Sequence, residues 1–143
     1  PCYVIKVNGK PVDPYWVDTI GMPPEGTPDK PTSVTFRTRF ENEKGTNPEE
    51  LIAAAHAGCF SMALSAQLGA ANLTPESINT SATLTMEKLD SGWAITAVHL
   101  DVVGRVPNAD AAAFQKAAEN AKSGCPVSKV LKANITMNAK LEG

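Results

Sequence analysis

The sequence has few of the features that mark nucleic-acid-binding, membrane or disulfide-stapled proteins. Its 143 residues carry 13 Lys and Arg against 15 Asp and Glu. This balance provides no basic surface for nucleic acid or for an anionic membrane, so we expect neither partner. No apolar run approaches the roughly 18 residues of a membrane span, and no charged segment followed by an apolar one suggests an export signal. We therefore expect a soluble, cytoplasmic protein.

Cysteine is also scarce, with only Cys2, Cys59 and Cys125. An odd count does not suit a structural disulfide framework. A domain of this length buries about two thirds of its unfolded surface and folds without such cross-links. In the cytoplasm thiols are kept reduced, and a disulfide that forms there is usually transient and catalytic.

Proline is concentrated in the first 32 residues, which differ in composition from the rest. Seven of the eleven prolines lie there. Asn8-Gly9 predicts a hairpin between residues 3–5 and Val12, and the segment from Pro23 to Pro28 predicts a loop.

From residue 33 onwards the pattern predicts strands and helices in mixed order, and hence an α+β fold in a single domain covering residues 1–143. The predicted strands are Val34–Glu41, Ile78–Met86, Trp93–Val106 and Ile135–Leu141. The predicted helices are Pro48–Leu68, capped by Asn47, then one from Pro107 to Lys122 and a short one from Pro126 to Leu131. The first helix is apolar all round, which predicts burial.

Two of the cysteines stand in contexts that suit thiol chemistry. Cys59 lies mid-helix, where a cysteine is often only a packing residue. Cys125 precedes Pro126 at a helix start, where unpaired N–H groups favour a thiolate. A thiolate that attacks a peroxide becomes a sulfenic acid, and a second thiol traps it. Arg37 and Arg39 share one face of a predicted strand and are candidates for the cation that such a thiolate needs.

Four segments together resemble the OsmC/Ohr family. They are FRTRFE at 36–41, EKGTNPEELI at 43–52, AAHAGCFSMAL at 54–64 and GCPVSKVL at 124–131. The resemblance covers residues 33–143, whereas residues 1–32 diverge from the family. The histidine three positions before Cys59 is typical of the OsmC branch.

The resemblance implies a thiol peroxidase that acts in oxidative and osmotic stress. It would reduce organic hydroperoxides, and hydrogen peroxide less well, through a Cys59–Cys125 disulfide. Dihydrolipoyl groups would reduce that disulfide, and no metal or other cofactor would take part. Arg39 and Glu49 correspond to the family's active-site arginine and glutamate, whereas Arg37 and Cys2 have no such role. We expect apolar substrate walls near Cys59, drawn from Phe60, Met62 and Leu64.

The resemblance also implies an intertwined homodimer with antiparallel sheets around central helices. Glu49 and Cys59 are ten residues apart on one predicted helix, which separates them by about 15 Å along the axis and about 80° around it. We therefore predict an active site shared between two subunits, in which Cys59 of one meets Arg39 and Glu49 of the other.

Two alternatives share these residues. His56 and Cys59 lie three apart on one helix, and with Cys125 and either His99 or Cys2 they could bind a metal ion. The protein could also be a redox sensor that oxidises Cys59 without steady turnover. Otherwise His56 is expected to be a buried packing residue.

Overall fold

The computed structural model describes residues 2–7, 10–12, 36–41 and 46–142. In these ranges the chain forms five strands: β1 (Cys2–Val7), β2 (Lys10–Val12), β3 (Ser77–Leu89), β4 (Gly92–Arg105) and β5 (Asn134–Glu142). It also forms four helices: α1 (Phe36–Phe40), α2 (Pro48–Ala70), α3 (Ala111–Gly124) and α4 (Pro126–Val130). The predicted α+β class is confirmed. The predicted loop at Pro23–Pro28 lies outside the described residues.

The described strands form one sheet in the order β2-β1-β3-β4-β5. The predicted hairpin is present, since β1 and β2 pair antiparallel with Val7 opposite Lys10. The expected antiparallel pairing holds for only part of the sheet, because β1 pairs parallel with β3 and β4 pairs parallel with β5. The strands of each parallel pair are separated in sequence by helices, and such crossover connections bring strands back in the same direction.

Both long helices lie on one face of this sheet and form the core with it. Helix α2 packs on β1 and β3, and α3 packs on β5 and on α2. The central part of the core consists of fully buried apolar side chains from these elements: Phe60, Leu64, Leu68, Ile78, Val98, Leu100 and Ala118. A buried hydrogen bond of 2.7 Å between Ser61 and Thr80 joins α2 to β3. The opposite face of β4 and β5 is polar, as is usual for a sheet packed on one side only.

Helix α2 begins and continues as its sequence predicts. The side chain of Asn47 accepts a hydrogen bond of 2.8 Å from the backbone N–H of Glu50, and Pro48 occupies the first helical position. With a mean hydropathy of 1.4 over 18 residues, α2 is long and apolar enough to cross a membrane by length and composition. Seven of its side chains, including Phe60 and Leu64, are instead buried within the protein's own fold. The apolar character of α2 is thus largely explained by core packing.

The segment around Arg37 and Arg39 is helical, so the predicted strand Val34–Glu41 is wrong in its described part. Contacts between residues four apart stabilise the α1 turn, as helix geometry allows and strand geometry does not. The rings of Phe36 and Phe40 have centroids 4.9 Å apart, and Arg37 pairs with Glu41 at 3.1 Å. Arg37 and Arg39 therefore do not share a face, because residues two positions apart on a helix lie about 200° apart around its axis.

Helix α3 begins later than its sequence predicts. Asn108 has a positive φ of 64°, so Pro107 and Asn108 form a turn after β4 instead of the first helical turn. Asp110 is the N-cap, and its side chain accepts a hydrogen bond of 2.7 Å from the N–H of Ala113. The helix ends at Gly124, and α4 starts at Pro126.

Candidate active site

The thiols of Cys59 and Cys125 meet where α2 contacts the start of α4. Their Sγ atoms are 2.9 Å apart, and both cysteines are free. Cys59 is half-buried and Cys125 is fully buried. A disulfide bond is about 2 Å long, so the two sulfurs need to approach by only about 1 Å to form one. The arrangement places a solvent-reachable thiol beside a second, protected thiol.

The electrostatic surroundings of Cys59 within its own chain disfavour the thiolate. Burial raises the pKa of the Cys59 thiol, and the adjacent Cys125 thiol raises it further. The backbone N–H of Val127, in the first turn of α4, donates to the Cys59 sulfur and lowers its pKa, although burial prevails. The sequence predicted that the α4 start would activate Cys125. In the structure the Val127 N–H group of that turn donates to Cys59.

A second polar contact joins the same two helices. His56 is fully buried, and its Nε2 lies 2.7 Å from the Oγ of Ser128. Its Nδ1 is buried without a hydrogen-bond partner among the described residues. Burial lowers the pKa of His56 below its ordinary value of 6.5, so the ring is neutral. We assign its proton to Nε2, which then donates to Ser128 and leaves no buried N–H unpaired.

Arg39 and Glu49 form a bidentate pair at the N-terminal end of α2. The Arg39 Nε donates to one Glu49 oxygen at 3.1 Å, and a terminal nitrogen of the guanidinium donates to the other oxygen. The guanidinium carbon also lies 5.2 Å from the ring centroid of Phe40. This fork-to-fork geometry fixes the direction in which the remaining guanidinium N–H groups point.

The Arg39–Glu49 pair lines a cavity of about 540 Å³. The other walls are largely apolar and come from the far end of the β3–β4 hairpin, from α2, from the end of α4 and from the chain after it, namely Ile52, Met86, Trp93, Ile95, Val130 and Leu131. The pairing of β3 with β4 shifts register between Thr85 and Met86, beside this cavity. Such bulges are common next to functional sites because they re-aim side chains.

The structure brings the predicted site residues together in two pairs and not in one group. Cys59 meets Cys125, and Arg39 meets Glu49, but neither cysteine lines the cavity of the second pair. The expected apolar walls near Cys59 are partly wrong, because Phe60 and Leu64 point into the core while Met62 is exposed.

Sequence reasoning did not find Ser128 or the cavity walls Met86 and Trp93. The signal for Ser128 was its spacing, since it follows Cys125 by three residues, as His56 precedes Cys59 by three. The cavity walls are ordinary strand residues, and they meet Arg39 only through the tertiary fold.

The metal alternative with His99 as a ligand does not fit the fold. His99 lies on the opposite face of the sheet from His56, where its Nδ1 is 2.6 Å from the Oγ1 of Thr136. Among the described residues, no group of three or more His, Cys, Asp and Glu side chains is arranged to hold a metal ion. The side chain of Cys2 lies outside the described residues.

The paired thiols on this α+β scaffold define a dithiol redox protein. Residues 41–140 match the family described as OsmC-like protein. The peroxiredoxin OsmC of Escherichia coli strain K12 is 57% identical over 107 residues, which are 75% of this chain and 75% of that protein. The chain belongs to the OsmC-like family, and it is a peroxiredoxin-like peroxidase.

Solved structures of other proteins share the fold. An OsmC-like protein from Mycoplasma pneumoniae superimposes with a TM-score of 0.63 at 16% identity, over 73% of this chain and 77% of that one. The organic hydroperoxide resistance protein OhrB of Bacillus subtilis superimposes with a TM-score of 0.55 at 27% identity, over 71% of this chain and 73% of that one.

Proposed function

We propose that this protein reduces organic hydroperoxides to alcohols, with Cys59 as the attacking thiolate and Cys125 as its disulfide partner. The observation that carries the proposal is the 2.9 Å separation of two free thiols, of which the half-buried one receives a backbone N–H. A pair of this kind supplies both a nucleophile and a trap for its oxidised form.

In the proposed reaction the Cys59 sulfur attacks one peroxide oxygen and the O–O bond breaks. The sulfur retains that oxygen as a sulfenic acid, and the alkoxide leaves and takes up a proton to become the alcohol. The Cys125 sulfur then attacks the Cys59 sulfur. An S–S bond forms, the S–O bond breaks, and the hydroxyl group leaves as water with the proton of the Cys125 thiol.

The thiolate needs a cation that its own chain does not supply among the described residues. The pKa of Cys59 is shifted by burial, by the Cys125 thiol and by the Val127 N–H, and neither of these two groups carries a positive charge. Arg39 of the partner subunit is the proposed source. It would lower the pKa of the thiol and stabilise charge on the leaving oxygen, and Glu49 of the partner subunit would orient it.

A stripe of apolar residues on α2 supports the dimer. Leu51, Ala55, Met62 and Ala66 are exposed at helical spacing, and Cys59 lies within the stripe. Residues at this spacing share one helix face, which suits a second copy of α2 related by a two-fold axis. Such packing would carry the cavity with Arg39 of one subunit towards Cys59 of the other.

The cavity walls favour an apolar substrate. Each square ångström of apolar surface that a bulky alkyl group buries there contributes about 25 cal/mol, and hydrogen peroxide gains nothing of this kind. We expect reduced protein to consume cumene hydroperoxide with a higher kcat/KM than hydrogen peroxide in stopped-flow mixing, with two thiols lost per chain. Equal or reversed preference would overturn the substrate assignment.

A variant pair tests the cavity itself. Trp93→Ala removes an exposed wall of the cavity, whereas Leu89→Ala removes another exposed apolar side chain that lies outside it. Trp93→Ala should lower kcat/KM for cumene hydroperoxide and leave that for hydrogen peroxide within about twofold, because only the larger substrate contacts the wall. Leu89→Ala should change neither value.

A dithiol is the proposed reductant, and a dihydrolipoyl group is the proposed carrier in the cytoplasm. Its first sulfur would form a mixed disulfide with a site cysteine, and its second sulfur would then release the enzyme by intramolecular attack. Turnover should therefore be faster with dihydrolipoamide than with glutathione at equal thiol concentration. A preference for glutathione would contradict this part of the proposal.

A further inference from the structure

Two contacts of matching spacing join α2 to the start of α4. His56 on α2 contacts Ser128 at 2.7 Å, and Cys59 contacts Cys125 at 2.9 Å. His56 precedes Cys59 by three positions on α2. Their partners are also three positions apart, but in the reverse order, since Ser128 follows Cys125. The two segments therefore run antiparallel here, and His56 and Cys59 are separated by a rise of about 4.5 Å along the α2 axis.

Helix α4 itself buries little surface. It spans only five residues, none of them buried, and Val130 is 75% exposed. Isolated helices of this length are unstable without tertiary contacts. His56, by contrast, is fully buried in the long helix α2 and has little freedom to move. The hydrogen bond thus ties a weakly held segment to a rigid one.

We propose that the His56–Ser128 hydrogen bond is a positioning device that holds Cys125 against Cys59 for the second step of the reaction. This inference rests on the proposed function. Once Cys59 carries an oxygen atom, the Cys125 sulfur must approach in line with the S–O bond that breaks, and small displacements lower the rate of such steps. Delay exposes the sulfenic acid to more peroxide and hence to irreversible oxidation.

The bond should not affect the first step, because neither His56 nor Ser128 lines the Arg39 cavity and neither is among the groups that shift the pKa of Cys59. A variant that forms the disulfide slowly but oxidises Cys59 at the normal rate therefore indicates a positioning role. A general loss of structure would lower both rates. The same comparison also distinguishes His56 from a general base on Cys59, whose removal would slow the first step.

The test compares variants that remove or keep the bond. Ser128→Ala removes the hydroxyl, and Ser128→Thr keeps it. His56→Gln keeps an N–H group near the position of Nε2, whereas His56→Leu has none. Ser123→Ala is the matched control, since the Ser123 hydroxyl bonds only to backbone carbonyls of its own helix.

The first readout separates the two chemical steps in single turnover with cumene hydroperoxide. Peroxide loss reports attack by Cys59, and mass spectrometry of quenched samples reports disulfide formation. Ser128→Ala and His56→Leu should form the disulfide about fivefold more slowly, the factor expected for one neutral hydrogen bond. Peroxide loss should stay within about twofold of wild type. With excess peroxide, these variants should accumulate Cys59 sulfinic acid.

The conservative variants Ser128→Thr and His56→Gln should restore most of the disulfide rate, and Ser123→Ala should match wild type. Disulfide formation at the wild-type rate in Ser128→Ala would overturn the proposal. So would parallel loss of both steps in Ser128→Ala and His56→Leu.

The second readout needs no peroxide. Each variant is equilibrated in mixtures of reduced and oxidised dithiothreitol, and the ratio of dithiol to Cys59–Cys125 disulfide is measured. Losing the bond should shift this ratio about fivefold towards the dithiol, because the two thiols meet less often. An unchanged ratio in Ser128→Ala would overturn the positioning role even if wild type is an active peroxidase. If wild type consumes no peroxide, the proposed function fails and this equilibrium still decides the role of the bond.

Discussion

The sulfur atoms of Cys59 and Cys125 lie 2.9 Å apart although 66 positions separate the two residues in sequence. The fold achieves this by ending α3 at Gly124 and restarting the chain as α4 directly against α2. Cys125 is thereby both the C-cap of one helix and the N-cap of the next. Its buried position protects it, while Cys59 stays partly open to solvent.

This asymmetry predicts different defects for the two cysteine variants. Cys59→Ser should abolish peroxide consumption, because no attacking thiol remains. Cys125→Ser should react once at close to the wild-type rate and then stop as sulfenic or sulfinic acid, because no thiol traps it. Single-turnover peroxide assays with mass spectrometry of Cys59 measure both outcomes. Wild-type consumption by Cys59→Ser would remove Cys59 from the mechanism.

Arg39→Ala should slow the oxidation of Cys59 about a hundredfold, the usual loss when one group that stabilises developing charge is removed. Because a nearby cation lowers the pKa of a thiol, its removal should also move the rise of rate with pH to higher pH. The effect on stability should stay below about 1 kcal/mol, since the Arg39–Glu49 pair is partly exposed. Stopped-flow rates across pH and thermal unfolding check the three expectations.

Arg37→Ala is the matched control for this variant. Arg37 stands two residues away and pairs with Glu41 on the surface, where both side chains are more than half exposed. Its loss should leave the oxidation rate unchanged. Equal effects of the two substitutions would show that general surface charge, and not a placed guanidinium, sets the rate.

The sequence predicted most of the fold from residue 46 onwards because local signals and tertiary packing agree there. The Asn47 cap, the alternating residues of β3 and the Gly124 stop all act through near neighbours. The α1 segment was misassigned because β-branched and aromatic residues favour strands on average, whereas here contacts four residues apart prevail.

The site was less predictable than the fold. Cys59 and Cys125 were identified by their motifs, but their contact depends on how α4 docks on α2. The partnership of His56 with Ser128 had no local signal beyond matching spacing.

The parallel pairing of β5 with β4 follows from the crossover through α3 and α4. The alternation of residues within a strand carries no information on its direction.

Burial of His56 predicts a loss of stability in acid. Its pKa is lowered in the folded protein, so the unfolded chain binds a proton more readily. The resulting contribution to stability is present above the ordinary value of 6.5 and is lost as the pH falls below it. The glutamine of His56→Gln cannot titrate. Between about pH 7 and about pH 5 the Tm of wild type should therefore fall by more than the Tm of this variant. Parallel Tm curves over this range would contradict the assignment.

Close packing between β4 and α3 predicts a strong effect at Gly104. A Cβ atom at this position would lie 2.5 Å from Cε2 of Phe114, whose side chain is itself buried. Gly104→Ala should therefore lower the free energy of unfolding by about 1–3 kcal/mol. Gly69→Ala is the control, since nothing lies within 4 Å of its Cβ position. It should be neutral or stabilise by up to about 1 kcal/mol, as measured by urea unfolding.

The separation of the two residue pairs leads to the prediction of a shared site. Cys59 lies about 15 Å along α2 from Glu49, which holds Arg39 through a bidentate pair. If each site combines Cys59 of one subunit with Arg39 of the other, two inactive variants should complement each other. Cys59→Ser and Arg39→Ala are unfolded together and refolded, and activity is measured after mixing in equal amounts.

A mixed dimer then has one site with both defects and one intact site. About half of the dimers should be mixed, and each has one good site of two, so activity should return to about a quarter of wild type. Each variant refolded alone supplies the baseline, and native mass spectrometry confirms that mixed dimers are present. If mixed dimers form and activity stays at the baseline, Cys59 and Arg39 act within a single chain. In that case α2 or α1 would have to move to bring the guanidinium to the thiol.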